Sequence, residues 1–234
     1  MIDKFCATPA EALGPVADGS TILIGGFGEA GIPSELVDAL IESGAGDLKL
    51  VLNNAGNGEI GIARLLSTGR VRRITCSFPK GSASHIFRDL YESGKIELEL
   101  FPQGTLAEAI RAGGAGLGGF FTRTGVGTLL AEGKETRRIN GIDYVLEAPI
   151  RGHVALIKAQ SADRWGNLTY RAAARNFNPV MAMAADRTIA QVTDRAELGD
   201  LDPEAIVTPG IFVHSLVHIP APVSEARLLM EARS

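Results

Sequence analysis

The chain has 234 residues, 45% of them hydrophobic, and a formal net charge of −4. That length suits one large α/β domain with a substantial core, and an acidic balance without a basic, aromatic-studded patch argues against nucleic acid as a partner. Cys6 and Cys76 are the only cysteines, which suits a reducing compartment; without an apolar leader or a run of about 18 apolar residues, the expectation is a soluble, cytoplasmic protein that does not enter a membrane.

Thr8-Pro9-Ala10-Glu11 predicts a helix start, with Thr8 as cap, Pro9 in the first turn and Glu11 closing a capping box. This helix should run to about Val16. Strands are then expected over Thr21–Ile24, Leu48–Leu52, Val71–Cys76 and Ile96–Phe101. They alternate with helices over Pro33–Ser43, Ile60–Ser67, Ser82–Ser93 and Thr105–Arg111. Such alternation predicts an α/β fold, an open and mainly parallel sheet flanked by helices. Gly113–Gly119 and Thr122–Thr128 read as flexible turns. Further strands are expected over Tyr144–Glu147, Val154–Lys158, Ile189–Val192 and Ile211–Leu216, with a hairpin or tight turn at Asp163–Asn167. The expected organisation is one domain over residues 1–220, then a C-terminal tail over 221–234.

The stretch between the Thr21–Ile24 strand and the next helix carries Gly26, Gly28 and Gly31 in G-x-G-x-x-G spacing. A strand, a glycine turn and a helix N-terminus offer backbone N–H groups and a positive dipole end, which suits phosphate, carboxylate or an oxyanion. A dinucleotide site also expects an acid at the end of the next strand. Asn53-Asn54 stand there instead, and no Gly-Lys-Ser/Thr follows to make a P-loop. The plain alternative is a strand–helix turn that binds nothing.

Ligands of parallel sheets bind beyond the carboxyl ends of the strands. Three loops fall there: 25–31, 53–58 and 101–105. Asn53 and Asn54 offer amide donors for a developing oxyanion, or else form an Asx turn. Gln103 can both donate and accept, which suits a carbonyl or carboxylate; alternatively, Pro102–Thr105 is a turn with Thr105 capping the next helix. The glycines around Phe120 and Phe121 can admit an acyl group close to the backbone, or serve only as a crossover or subunit contact. His214 and His218 fall in a strand-like segment without a third ligand, so no metal site is expected. His85 and His153 read as structural or surface residues. There is no Gly-x-Ser-x-Gly elbow, and neither cysteine has a nucleophile's context. An oxyanion platform without a nucleophile suggests half of an active site.

DGSTILIGGFGEAGIP, residues 18–33, resembles the glycine-loop signature of the A subunits of the family I CoA-transferases. LVLNNAGNGEIG, ELELFPQGTLAEAIRAGGAG, FFTRTGVGT, ALIKAQSADRWGNLTYRAAARNFNP and DPEAIVTPGIFV are similar to further segments of that family in the same order. The resemblance implies the open α/β fold shared with the sugar-phosphate isomerases of the wider superfamily. It implies transfer of CoA from an acyl-CoA to a carboxylate acceptor through a mixed anhydride and a glutamyl-CoA thioester on the partner B subunit. Glu42 and Glu92 come nearest to the family's nucleophile context, and both look like helix ends, so no nucleophile is expected in this chain. By the same resemblance, Gly25, Gly26, Phe27, Gly28, Glu29, Ala30 and Gly31 form the CoA-associated loop, and Asn53, Asn54 and Gln103 lie beside the reacting acyl group.

CoA is then a substrate thioester rather than a tightly bound cofactor. The assembly implied is a heterodimer with the B subunit, doubled to a heterotetramer. NAGNGEIGIARLL, RRITCSFPKGSASHIF and KIELELFPQGTLAE are most similar to the branch that moves CoA from succinyl-CoA to 3-oxoadipate in aromatic-compound breakdown; acetoacetate is the alternative 3-oxo acid. A dicarboxylate acceptor carries an extra negative charge, for which Arg72, Arg73, Lys80 and Arg123 are candidates. From another functional class, the alternative is a non-catalytic acyl-CoA or nucleotide sensor.

Overall fold

The computed structural model describes residues 2–81 and 83–231. The first half alternates strand and helix: β1 (Phe5–Cys6), α1 (Pro9–Leu13), β2 (Thr21–Ile24), α2 (Ser34–Ser43), β3 (Leu48–Val51), α3 (Gly61–Ser67), β4 (Val71–Cys76), α4 (His85–Glu92), β5 (Glu97–Leu100) and α5 (Gln103–Gly114). Then come β6 (Phe120–Thr122), β7 (Thr136–Ile139) and β8 (Ile142–Glu147), which form a separate antiparallel sheet in the order β6-β8-β7. β9 (Gly152–Ala162), β10 (Leu168–Thr169), α6 (Asn178–Met183), β11 (Ala185–Arg195), β12 (Ser215–His218) and α7 (Glu225–Glu231) complete the chain.

The main sheet has the order β1-β12-β11-β9-β2-β3-β4-β5, with β10 antiparallel to β9. Every neighbouring pair along that path is parallel, as the strand–helix alternation predicts. The chain winds outward from β2 in one direction and from β9 in the other. The boundary between β2 and β9 is therefore a topological switch point, where parallel sheets open a crevice at their carboxyl ends.

Successive strand residues face opposite sides, and both sides are buried here. Ile22, Ile24, Leu50 and Ile74 join Leu36 and Leu40 of α2 and Leu65 of α3 in one core. Leu23, Val51, Ala155 and Ala190 join Leu106 and Ile110 of α5 and Met181 of α6 in another. Burial on both sides explains the unbroken apolar run of β2, whose Ile22, Leu23 and Ile24 are at most 1% exposed.

Several local features depart from the sequence reading. α1 stops at Leu13 rather than Val16, because Gly14 turns the chain at φ +57° and Pro15 follows. Thr8 caps it, with Glu11 N–H donating to Thr8 Oγ1 at 3.1 Å, but Glu11 Oε2 accepts from Ala7 N–H at 2.8 Å, one residue before the cap, instead of closing the box on Thr8. α5 begins at Gln103 with Pro102 at its cap, so Thr105 lies inside the first turn and caps nothing. Gly113 and Gly114 are the last turn of α5, not a flexible loop. A Cβ on Gly113 would stand 2.0 Å from the Ile150 carbonyl oxygen, and one on Gly114 2.9 Å from Met183 Cβ. These glycines let α5 pack tightly.

Phe120–Thr122 is a strand, and so is the unpredicted Thr136–Ile139, joined to β8 by Asn140-Gly141 at φ +52° and +80°. The expected strand over Ile211–Leu216 is replaced by a 3₁₀ turn over Gly210–Phe212 before β12. The predicted helix start at Ser82 lies outside the described residues, as does the end of the tail. Between them, Val223 N–H donates to Glu35 Oε1 at 2.7 Å, and Ser34 Oγ donates to Glu225 Oε1 at 2.8 Å. The segment leading into α7 therefore crosses the N-terminus of α2. No helix among the described residues is long and apolar enough to cross a membrane.

Candidate active site

The loops that follow β2, β3 and β4, together with the start of α5, enclose a cleft of about 340 Å³ at the carboxyl edge of the sheet. Phe27, Gly28 and Glu29 come from the first loop, Asn53, Asn54 and Asn57 from the second, and Phe78, Gly81 and Ser84 from the third, with Gln103 from α5. Six residues singled out from sequence thus share one cavity: Phe27, Gly28, Glu29, Asn53, Asn54 and Gln103. Gly25 and Gly26 line a narrower crevice beside it. Ala30 closes the loop's tip through paired backbone bonds with Phe27, at 2.9 and 3.0 Å. Gly31 lies against residues 174–178, away from the cleft wall.

The glycines of this loop answer two different constraints. At Gly25 a Cβ would collide with Asn178 Oδ1 at 1.8 Å, and at Gly31 with the Ala174 carbonyl oxygen at 2.5 Å. Gly28 is different: its φ is +56°, and a Cβ there would meet nothing within 4 Å. The loop is held from a distant part of the chain. Asn176 Oδ1 accepts from Gly26 N–H at 3.1 Å, while Asn176 Nδ2 donates to the Ala30 carbonyl at 3.0 Å. The buried Asn178 donates to the Gly31 carbonyl at 3.2 Å and accepts from Lys158 N–H at 2.9 Å.

These bonds revise the anion-cradle reading. The N–H groups of Gly25 and Gly26 are taken up by Leu156 and Asn176. The N-terminus of α2 is covered by polar side chains: Leu36 N–H donates to Gln191 Oε1 at 3.3 Å, Gln191 Nε2 donates to Glu35 at 2.5 Å, and Glu225 is buried over Ser34. Burial pushes the Glu225 carboxyl up from its ordinary value, outweighing the Ser34 hydrogen bond. The half-buried Lys158 ammonium is pushed down by desolvation, opposed by Glu35 and Glu225.

The amides have distinct jobs. Asn53 is 4% exposed and directs its amide N–H groups to Ser77 Oγ at 3.0 Å and Gln103 Oε1 at 3.3 Å. Gln103 is thereby fixed by its oxygen, which leaves its Nε2 as the donor. Asn54 accepts from Gly56 N–H at 2.9 Å, an Asx turn, and donates to the Gly28 carbonyl at 3.2 Å. It ties the second loop to the first. Asn57 donates to Glu29 Oε1 at 2.9 Å and accepts from Ser84 Oγ at 3.1 Å, tying the first loop to the third.

Sequence reasoning gave no role to Ser77, Asn57, Ser84, Asn176 or Asn178. The Asn176-Phe177-Asn178-Pro179 string was the available signal for two of them, Asn176 and Asn178. The isolated thiols are not nucleophiles here: burial pushes Cys76 up to about 12, and Cys6 stands on β1, at the far edge of the sheet from the cleft. His214 Nδ1 accepts from Thr188 N–H at 3.0 Å, and His218 Nε2 lies 3.0 Å from the Thr193 carbonyl oxygen. No group of three or more His, Cys, Asp or Glu placed to hold a metal occurs among the described residues.

Comparison with known proteins gives this geometry a family. The Coenzyme A transferase family model matches residues 6–218. The A subunit of the 3-oxoadipate CoA-transferase of Pseudomonas putida is 61% identical, over 94% of this chain and 95% of its own. Its namesake from Acinetobacter baylyi is 60% identical, over 94% and 96%. The A subunit of the succinyl-CoA:3-ketoacid coenzyme A transferase of Xanthomonas campestris pv. campestris is 47% identical, over 92% and 88%. Among solved structures, an acyl-CoA transferase of Escherichia coli O157:H7 in thioester complex with CoA aligns with TM-score 0.83 at 21% identity, covering 95% of this chain and 48% of that one. This chain thus spans about half the length of that enzyme. The glutaconate coenzyme A-transferase of Acidaminococcus fermentans aligns with TM-score 0.82 at 21% identity, covering 93% and 76%. By its sequence over nearly its whole length, this chain belongs to the coenzyme A transferase family.

Proposed function

We propose that this chain is the A subunit of a two-subunit CoA-transferase that moves CoA from succinyl-CoA to 3-oxoadipate. The observation that carries the reading is the amide-lined cleft, in which Gln103 is fixed to present a donor while the chain's thiols are withheld by burial or lie elsewhere. Identity of 60–61% to the A subunits of two 3-oxoadipate CoA-transferases supports the acceptor. Relatives named as A subunits imply a B subunit, and the reading pairs the two as a heterodimer, doubled to a heterotetramer, in the cytoplasm. CoA enters as substrate, and no resident cofactor takes part.

In this reading the nucleophile comes from the partner. A carboxylate of the B subunit attacks the thioester carbonyl; the thiolate leaves and a mixed anhydride forms. The thiolate then attacks the partner's acyl carbon, releasing succinate and leaving CoA as an enzyme thioester. The acceptor carboxylate repeats both steps in reverse. In each, negative charge builds on a carbonyl oxygen, and pre-oriented donors such as Gln103 Nε2 stabilise it without reorganising.

Glu29 is the carboxylate of this chain that lines the cleft among the described residues, held there by Asn57. The test is to incubate the reconstituted A–B complex with succinyl-CoA without acceptor and map the CoA adduct by peptide mass spectrometry. An adduct on a partner glutamate is expected. An adduct on Glu29, or turnover by this chain alone, overturns the half-site reading. A chain that binds CoA as a stable monomer and supports no transfer with its partner is the sensor instead.

A further inference from the structure

We propose that Lys80 receives the distal carboxylate of a dicarboxylate acceptor and so sets the preference for 3-oxoadipate over a monocarboxylate 3-oxo acid. The inference rests on the acceptor reading above. Four cations are candidates from the sequence, and the fold separates them. Arg72 pairs with Asp47 at 3.2 Å and Arg73 with Glu97 at 2.8 Å, both within β4 rather than beyond its carboxyl end. Arg123 follows β6 of the small antiparallel sheet, and among the described residues that sheet contributes nothing to the cleft lining. Lys80 stands in the loop after β4, between the cleft residues Phe78 and Gly81. Among the described residues it makes no ion pair, whereas Arg88, the next cation along the chain, is paired with Asp89 at 3.0 Å.

The loop that carries Lys80 is anchored on both sides. Phe78 N–H donates to the Asn53 carbonyl at 3.0 Å. Gly81 N–H donates to Ser84 Oγ at 2.9 Å, and Ser84 Oγ in turn donates to the Gly56 carbonyl at 2.8 Å. A Cβ on Gly81 would stand 2.7 Å from Asn57 Oδ1, so this part of the loop lies hard against the Asn57 side chain. Two residues of chain span at most about 7 Å, which keeps the Lys80 backbone within that distance of Phe78.

Charge decides which wall suits the distal carboxylate. The sheet order β2-β3-β4 puts Glu29 on one flank of the cleft and Lys80 on the other, with the Asn53–Asn57 loop between them. An acceptor whose reacting carboxyl sits by Gln103 avoids Glu29 when its second carboxylate turns toward the β4 loop. 3-Oxoadipate has a second carboxylate to turn; acetoacetate has none.

The experiment offers both acceptors together to the reconstituted A–B complex charged from succinyl-CoA, and measures the ratio of 3-oxoadipyl-CoA to acetoacetyl-CoA. Competition cancels the donor step and reads the ratio of kcat/KM directly. Lys80→Gln should lower that ratio about tenfold or more at low salt, the scale of one lost charge-assisted hydrogen bond. Lys80→Arg should keep most of it, and added salt should narrow the gap between the wild type and Lys80→Gln. An unchanged ratio, or an equal loss with both acceptors, overturns the role of Lys80 while leaving the acceptor reading in place. A wild-type complex that forms no 3-oxoadipyl-CoA overturns both.

Discussion

Gly25 and Gly28 stand three residues apart in one loop, and the structure assigns them opposite sensitivities. At Gly25 an added Cβ lies 1.8 Å from Asn178 Oδ1 and 2.6 Å from its Cγ. Asn178 is fully buried and its side chain holds four bonds: from Lys158 N–H at 2.9 Å, to the carbonyls of Gly31 at 3.2 Å and Ala174 at 2.9 Å, and to Asn176 Oδ1 at 3.3 Å. Gly25→Ala must displace that amide. Overpacking costs about 1–3 kcal/mol, and a buried group left unpaired costs about 1–3 kcal/mol more. The expected loss is therefore about 2–6 kcal/mol, or about 4–24 °C in Tm at roughly 2–4 °C per kcal/mol for a chain of this size. Gly28→Ala meets no atom within 4 Å and is penalised only for its φ of +56°, about 1–2 kcal/mol. Its methyl enters the cleft, so activity should fall while the fold persists. Urea and thermal unfolding of the purified chain measure both. Combining Gly25→Ala with Asn178→Ala adds a sharper check, since removing the amide removes the collision. The double variant should lose clearly less than the sum of the two singles. Equal losses for Gly25→Ala and Gly28→Ala, or strict additivity of the pair, would refute the packing argument.

Two further outcomes are expected. Gln103→Glu replaces the donor at the cleft with an acceptor while keeping an oxygen for Asn53 to bond; kcat in the A–B complex should fall by about 10²–10³, the scale of one oxyanion donor, and a rate within about a factor of three of wild type would remove Gln103 from the chemistry. Glu225→Gln tests the buried carboxyl over Ser34. Its folded value is raised by burial above the ordinary 4.5, so the wild type loses stability as pH rises through the folded value, whereas the neutral variant does not titrate. The Tm of Glu225→Gln minus that of wild type should grow as pH rises from the acid side of that value to neutrality; a flat or falling difference would contradict the burial.

The parts of this fold that showed in the sequence are those governed by short-range rules. β2 and β4 begin and end where their apolar runs and flanking glycines or loop residues say they should. β9 and β11 showed only in their middles. Their ends carry Gln160, Ser161, Asp186, Arg187, Thr193 and Asp194, and those polar residues persist because parallel pairing with each other continues past the buried core. Of the β7–β8 hairpin only the end of β8, Tyr144–Glu147, shows in the sequence, although Asn140-Gly141 is a strong turn signal; β7 is short, charged and exposed throughout, so no apolar period marks it. α5 was cut short because Gly113 and Gly114 look like breakers. Whether a glycine ends a helix or seats it against a neighbour depends on what lies across the contact, and Ile150 and Met183 are far along the chain.

The same distinction runs through the candidate site. Asn53, Asn54 and Gln103 could be chosen from sequence because each follows a recognisable strand, and strand ends are where a parallel sheet binds. What each amide does there could not be, because the division of labour depends on partners 24 to 150 residues away: Ser77 and Gln103 for Asn53, Gly28 for Asn54, and Asn176 for the glycine loop. The Asn53–Gln103 and Asn54–Gly28 links join residues that sequence had singled out; the others do not. The switch point explains why the rest converge. β2 and β9 are hydrogen-bonded neighbours, with Ile24 opposite Leu156, so the glycine loop leaving β2 rises beside β9 and meets residues 173–178 as the chain returns toward β11. A loop that looks like a self-contained nucleotide motif is in fact braced by a second crossover, and its sterically open glycine, Gly28, lines the cleft between Phe27 and Glu29.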